Sequence, residues 1–337
     1  MKKAISILLA AAMGAAALTG CSKSSGSSSS GNTPLVLNEV AHSIFYAPQY
    51  AAIELGYFED EGIDLTLVNG AGADKVMTAL ISGDAQIGFM GSEASIYVYQ
   101  EGSQDYAVNF AQLTQRAGNF LVGRQAEEDF KWQDLKGKTV LGGRAGGMPQ
   151  MVFEYILKKN GLDPVNDLTI DQSISFGLTA AAFTSSAADY TIEFEPFATT
   201  LEMEGSGAVV ASLGTESGYV PYTAYSARKS YLKQHPEVIQ SFTNAIQKGL
   251  DYVNSHSSEE IAKVISPHFK ETPVDKLALI VDRYKSQDTW KEDTVFEENS
   301  FTLLKRILEE AGELKAEVPY NELVTTDFSK KAAKNSQ

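Results

Sequence analysis

The chain has 337 residues, 28 of them Lys or Arg against 43 Asp or Glu, a formal net charge of −15 and 43% apolar side chains. That acidity, with no basic stripe and no aromatic RNA-binding motif, excludes nucleic acid as a partner, because phosphate contacts need clustered Lys and Arg. A single cysteine excludes a disulfide framework, so the fold rests on its cores, and the apolar content suffices for two domains.

The N-terminus is charged at Lys2 and Lys3, apolar from Ala4 to Leu18, and small at Thr19-Gly20 ahead of Cys21. This order of zones predicts a secretory signal over residues 1–20, too short for a spanning helix. Leu18-Thr19-Gly20-Cys21 resembles the bacterial lipobox, which would make Cys21 a lipid attachment point and explain the lone cysteine. Two or more acyl chains would hold the protein at a membrane, at about 0.8 kcal/mol per buried methylene. Ser22 to Asn32 is almost only Ser and Gly, so residues 21–33 read as anchor and flexible linker.

From Leu35 short strands alternate with helices. Leu35 to Asn38 predicts a strand, and Pro48 to Leu55 a helix with Gly56 past its end. In Ile63 to Val68, Ile63, Leu65 and Leu67 alternate with Asp64 and Thr66, the pattern of a half-buried strand. Val76, Met77 and Leu80 mark the next helix, Gly83 stops it, and Gln86 to Phe89 is again a strand. A second round follows the turn at Asp134 to Lys138: strand Thr139–Gly142, helix Met148–Asn160, strand Leu168–Ile170, helix Leu178–Ser185, strand Tyr190–Phe194 and a helix from about Pro196. Two β-α-β halves predict two α/β lobes. From Pro236 the chain reads as helices only, beginning with Pro236–Asn254, and this tail is expected to pack on the first lobe.

Glycine clusters invite a nucleotide reading and fail on spacing. Arg144 stands where a dinucleotide fingerprint starting at Gly142 needs glycine, Lys75 where one starting at Gly70 needs it, and Trp132 where a phosphate loop ending in Gly137-Lys138-Thr139 needs it. No cofactor is expected. The same glycines can bring bare N–H groups to the starts of two helices, at Gly91-Ser92-Glu93 and at Gly146-Gly147-Met148-Pro149. Both lie at C-terminal ends of predicted strands, where α/β sheets bind ligands. His42, His235, His256 and His268 show no ligand spacing, so no metal is expected, and no Gly-x-Ser-x-Gly elbow occurs. Glu193 and Glu195, near the end of a strand, leave a paired-carboxylate acid and base open as an alternative.

Several runs carry a family resemblance: Asn38 to Ala52, Leu55-Gly56-Tyr57-Phe58, Glu61 to Leu65, Gly83 to Gly88, Leu135 to Val140, Gly143 to Pro149, and Glu195-Pro196. From about Leu35 to Asn254 the chain resembles the solute-binding lipoproteins of ABC importers for thiamine-precursor pyrimidines, aliphatic sulfonates and nitrate. The resemblance implies an α/β, two-lobed fold of the type II periplasmic-binding-protein kind, each lobe a mostly parallel sheet flanked by helices, with a helical C-terminal tail. Lobe I would comprise 34–122 plus 223–330 and lobe II 123–222, with 331–337 as a disordered tail. It also implies a monomeric receptor, not an enzyme, that is exported, lipid-anchored outside the cell membrane, and delivers a small solute to a permease and its ATPase. A related fungal branch of pyrimidine-synthesising enzymes carries a cysteine-rich motif that this chain lacks.

Carried over by position, the pocket would draw on Asn38, Glu39, His42, Phe45 and Tyr46; on Gly70 to Asp74; on Gly91, Ser92 and Glu93; on Gln115 and Arg116 near the hinge; on Gly146, Gly147 and Met148; and on Glu195. Glu39 stands where the pyrimidine binders have an aromatic residue. Glu39, Glu93 and Glu195 would repel a sulfonate or nitrate. A nitrogenous or heteroaromatic solute is therefore expected, stacked on Phe45 or Tyr46, with an anion-binding protein as the alternative and an extracellular enzyme using Glu195 behind it.

Overall fold

The computed structural model describes residues 31–174 and 177–335. The signal sequence, Cys21 and the linker up to residue 30 lie outside the described residues. Strand β1 (Thr33–Glu39) pairs in parallel with β2 (Ile63–Asn69) along its whole length and with β3 (Ile87–Gly91). Thr33 is already opposite Ile63, so the expected linker overran the first strand by one residue.

The strands that follow are β4 (Ala107–Thr114), β5 (Asn119–Gly123), β6 (Thr139–Leu141), β7 (Thr169–Asp171), β8 (Tyr190–Phe194), β9 (Ala208–Ser212) and β10 (Thr223–Arg228). They form two sheets, ordered β2-β1-β3-β10-β4 and β7-β6-β8-β5-β9. Each sheet is parallel except for its fourth strand, β10 in one and β5 in the other. Both exceptions are made where the chain passes between sheets. The two-lobed, periplasmic-binding-protein-like architecture is thus present, with helices flanking both sheets.

The passage comes earlier than residue 122. The chain leaves the first sheet after Thr114, and β5 from Asn119 onward pairs with β8 of the second, Asn119 opposite Phe194. Gly118, between them, lies against Phe45: a Cβ there would sit 2.5 Å from the ring, so only glycine lets the chain cross at this point.

The helix Pro236–Ser255 buries Ile239, Phe242, Ile246 and Leu250 as one stripe, each fully buried side chain contributing about 1.5–3 kcal/mol. It packs on the helix Ala47–Glu54. Their approach requires Gly249, where a Cβ would meet the Pro48 carbonyl oxygen at 2.2 Å. Two of the later helices also reach the second lobe, which the expected packing on the first lobe alone did not include. From the helix Val274–Ser286, Tyr284 donates to the Gly118 carbonyl at 3.0 Å and Arg283 reaches Glu195 at 2.6 Å. The helix Glu298–Glu310 leans on the helix Met148–Lys159, where the Lys158 ammonium donates to the Glu310 carbonyl.

The expected disordered tail is corrected over 331–335, which end the helix Asp327–Asn335. Ser329 donates to the Phe110 carbonyl at 2.7 Å and Ala332 is buried. Small residues make this seam under a lysine-rich exterior, so the composition looked solvated.

Candidate functional site

Each sheet delivers one helix N-terminus to a common cavity. The helix Glu93–Gln100 begins two residues past β3, and the helix Met148–Lys159 follows β6, with Gly147 as its cap and Pro149 in its first turn. The first turn of a helix leaves backbone N–H groups unpaired, and proline, which has none, is tolerated there. Between them lies a cavity of about 90 Å³. Val40, Tyr46, Gly72, Glu93, Tyr222 and Thr223 wall it on the side of the first sheet, and Gly143, Arg144, Gly147, Met148, Pro149 and Phe194 on the other. Outside it, a hollow of about 450 Å³ is bounded by Asp74, Tyr97, Gly146, Glu313 and Lys315, and shares Glu93 and Arg144 with it. Behind it, sharing Gly143, Pro149 and Phe194, is a small cavity of about 20 Å³ lined by Asn119, Thr179 and Glu193. The Tyr97 hydroxyl donates to the Gly146 carbonyl at 2.9 Å, tying the two helix starts together.

Glu93 is the chemically distinctive wall residue. It is 3% exposed, and its Oε2 has no hydrogen-bond partner among the described residues. Burial pushes its carboxyl up to about 7; its own backbone N–H, the Arg144 charge and the Met148 N–H pull the other way and do not prevail. Gly91 admits the carboxylate, since a Cβ there would lie 2.1 Å from Glu93 Oε2. A buried oxygen with no donor costs roughly 1–3 kcal/mol, more when charged. The arrangement is complementary to an N–H donor or a cation. Glu193 is the second such group: burial raises its carboxyl to about 7, opposed by hydrogen bonds from Thr191 and Thr179.

The structure brings Tyr46, Gly91, Glu93, Gly147 and Met148 to the main cavity and Gly146 to the outer hollow. Of the second loop, Gly72 and Ala73 reach the main cavity and Asp74 the hollow. The other candidates sit elsewhere. Glu39 accepts from Gln49 and Tyr50, each at 2.8 Å, and pairs with His42 Nδ1 at 3.0 Å, inside the first half of the chain. His42 is held on its other side by the His268 carbonyl, and its hydrogen bond to Glu39 raises its pKa. Asn38 lies beneath Gly70, where a Cβ would meet its Oδ1 at 2.6 Å.

Phe45 is fully buried among Tyr46, Phe194, Tyr222 and Tyr284, and stacks on protein, not on an open cavity. Ser92 donates to the Pro221 carbonyl. Gln115 donates to Asp288 Oδ1 at 3.1 Å, and Arg116 lies over the Tyr219 ring at 4.4 Å. Glu195 is fully buried, bound by Arg283, by the Thr199 N–H at 2.9 Å and by the Thr199 hydroxyl at 3.0 Å.

Sequence reasoning missed Arg144, Phe194, Tyr222 and Asn119. Arg144 lies in the family run Gly143 to Pro149 but is not among the pocket candidates, and it spoils a glycine fingerprint. Its position in the loop from β6 to a helix, between Gly143 at φ 82° and Gly146 at φ 72°, was the available signal. Asn119 opens β5 and Tyr222 directly precedes β10, two antiparallel strands that carry no alternation. Among the described residues no cluster of three or more His, Cys, Asp or Glu is placed to hold a metal ion, and no helix is long and apolar enough to cross a membrane.

The family model described as NMT1/THI5 like matches residues 44–260. The chain is 44% identical over 299 residues to YtlA of Bacillus subtilis (strain 168), provisionally named a binding protein, covering 89% of this chain and 90% of that one. Its fold is similar to that of the alkanesulfonate-binding protein SsuA from Xanthomonas axonopodis pv. citri, at TM-score 0.69 and 15% identity, over 87% of this chain and 98% of that one. It is equally similar to that of the periplasmic nitrate-binding protein NrtA from Synechocystis PCC 6803, at TM-score 0.71 and 16% identity, over 90% and 89%. On the extent of the family match and the identity to YtlA, the chain belongs to the NMT1/THI5-like family.

Proposed function

We propose that this protein is a solute-binding receptor of an ABC importer that captures a small nitrogenous solute, cationic or heteroaromatic, between its lobes. The observation that carries this reading is Glu93: a buried carboxylate with one oxygen unpaired among the described residues, on the wall of a cavity that Tyr46, Tyr222, Phe194, Arg144 and the backbone of four glycines also line. A ligand N–H would supply the missing donor, and the aromatic walls suit a flat or cationic group. The binding-protein name of YtlA and the fold shared with SsuA and NrtA support the receptor class. In this reading Cys21 carries the lipid that keeps the receptor outside the cell membrane, beside a permease and its ATPase, and Cys21→Ser releases the protein or leaves it unprocessed.

The test is a thermal-shift and calorimetric screen of aminopyrimidines, amines and polyamines against the domain from Thr33. Saturation at a hundred times Kd stabilises by about 2.7 kcal/mol, and Glu93→Gln should abolish the shift. If no nitrogenous compound shifts the melting curve, the reading fails. An anion-binding reading has one observation of its own, Arg144 beside the helix start at Gly147 and Met148. A sulfonate that binds and is lost on Arg144→Met, but not on Glu93→Gln, would establish it. An enzyme built on Glu195 has no such support, since Arg283 and Thr199 occupy that carboxylate away from the cavity walls. Ligand recovered intact after prolonged incubation agrees with the receptor reading.

A further inference from the structure

We propose that the small cavity enclosed by Asn119, Thr179, Glu193 and Phe194 is a second subsite of the same pocket, and that it takes a terminal hydroxyl group of the ligand. The proposal rests on the receptor reading above and adds what the far end of the solute must be. Three observations carry it.

The first is size. The cavity measures about 20 Å³ and shares the walls Gly143, Pro149 and Phe194 with the main cavity. One water needs roughly 10–15 Å³ on this measure, so the subsite holds one small polar group and excludes a ring.

The second is an unspent donor. Asn119 is fully buried at the start of β5. Its Oδ1 accepts from the Tyr222 hydroxyl at 3.0 Å, which fixes the amide so that Nδ2 is left to donate, and Nδ2 has no partner among the described residues.

The third is the acceptor nearby. Glu193 is 2% exposed, and the Thr179 and Thr191 hydroxyls donate to its two oxygens at 3.0 and 2.6 Å. One hydroxyl on each oxygen leaves carboxylate lone pairs free.

A group seated here has to accept from Asn119 and exchange a hydrogen bond with Glu193. A hydroxyl does both, and because it rotates it serves Glu193 as carboxylate or as acid, which matters for a carboxyl that burial raises to about 7. An ammonium offers no lone pair to Asn119, a methyl leaves both groups unpaired, and a carboxylate or sulfonate meets a buried like charge. The solute is thus an amino-alcohol in the broad sense, with nitrogen toward Glu93 and a hydroxyl arm toward Asn119 and Glu193.

The experiment uses matched pairs differing at that arm: 2-aminoethanol against propylamine, 3-aminopropan-1-ol against butylamine, and 4-amino-5-hydroxymethyl-2-methylpyrimidine against the 5-methyl analogue. Dissociation constants are measured by calorimetry on the wild-type domain. Sites that hydrogen-bond a substrate hydroxyl reject the analogue lacking it strongly, so at least one pair should show tenfold or greater preference for the hydroxyl member. Asn119→Leu should erase that preference. If both members of each binding pair bind equally, the hydroxyl subsite is wrong and the Glu93 reading stands. If no amine or aminopyrimidine binds at all, both are wrong. The wild-type comparison decides the matter even where Asn119→Leu fails to fold.

Discussion

Glu39 and Glu93 are buried to nearly the same depth, 1% and 3% exposed, one at the end of β1 and the other two residues past the end of β3. Glu39 is answered from all sides by Gln49, Tyr50 and His42, and Tyr225 in turn donates to Gln49 at 3.0 Å. Among the described residues, Glu93 keeps one oxygen unanswered on a cavity wall. A charge removed from water must find partners. Where the chain supplies them the group is structural, and where it withholds one the oxygen stays open to a proton or to a partner from outside. Glu195 repeats the first pattern in the second half, with Arg283 as its answer.

The comparison breaks most visibly at Glu195. Arg283→Met would leave that carboxylate buried without its cation, a change that costs about 3–5 kcal/mol. Urea unfolding should show this loss, and a variant as stable as the wild type would mean that the pair is not structural.

Glu93 should behave in the opposite sense. Its carboxyl is raised from 4.5 unfolded to about 7 folded, so the folded state holds the extra proton. This group therefore favours folding fully below about pH 4.5, and its contribution is lost as pH rises through 7. The shift corresponds to about 3 kcal/mol. Without ligand, Glu93→Gln should flatten the fall in stability between pH 5 and 8, and should be the more stable protein at pH 8. A wild type and variant with parallel pH profiles would refute the unpaired state of Glu93.

Glu39→Gln sharpens the contrast from the other side. It weakens three hydrogen bonds to a charged acceptor and should cost about 1–3 kcal/mol, while affinity for any compound found in the screen stays within twofold. A large loss of affinity would place Glu39 in the pocket after all, as its position in the family pattern suggested.

Much of this organisation was legible in the sequence. Strand β8 was placed residue for residue and β2 to within one residue, β1 and β3 were found with their ends one or two residues off, and both helix starts at the cavity followed from glycines at strand ends. What escaped has a common physical cause. All eight residues of β4 are buried, including Asn109, Gln112 and Thr114. A strand covered on both faces has no alternation to read, and its polar residues look like a loop until their partners are seen, such as Ser226 donating to Asn109 at 2.7 Å. β5 and β10 share this character, and with them went the wall residues Tyr222 and Thr223 and the inner donor Asn119. The candidates that lie away from the cavity include acids and aromatics whose partners are far along the chain: Glu195 with Arg283, and Phe45 with Tyr284. Such pairings become visible only once the helices after Pro236 are known to span both lobes.

The smallest expected effect concerns the link between the two halves of the pocket. The Tyr97 hydroxyl, on the helix that Glu93 begins, donates to the Gly146 carbonyl in the loop that carries Arg144. It is half-buried beside Met151 and touches the outer hollow, not the main cavity. Tyr97→Phe removes one hydroxyl and leaves the ring in place, so its cost in stability should be about 0.5–1.5 kcal/mol. Because that bond joins the walls around the ligand and not the ligand itself, the loss should appear as faster release with association nearly unchanged. Stopped-flow measurement on any compound bound through Glu93 separates the two rates. A slower association with unaltered release would mean that Tyr97 shapes the entrance to the cavity instead of holding its walls together.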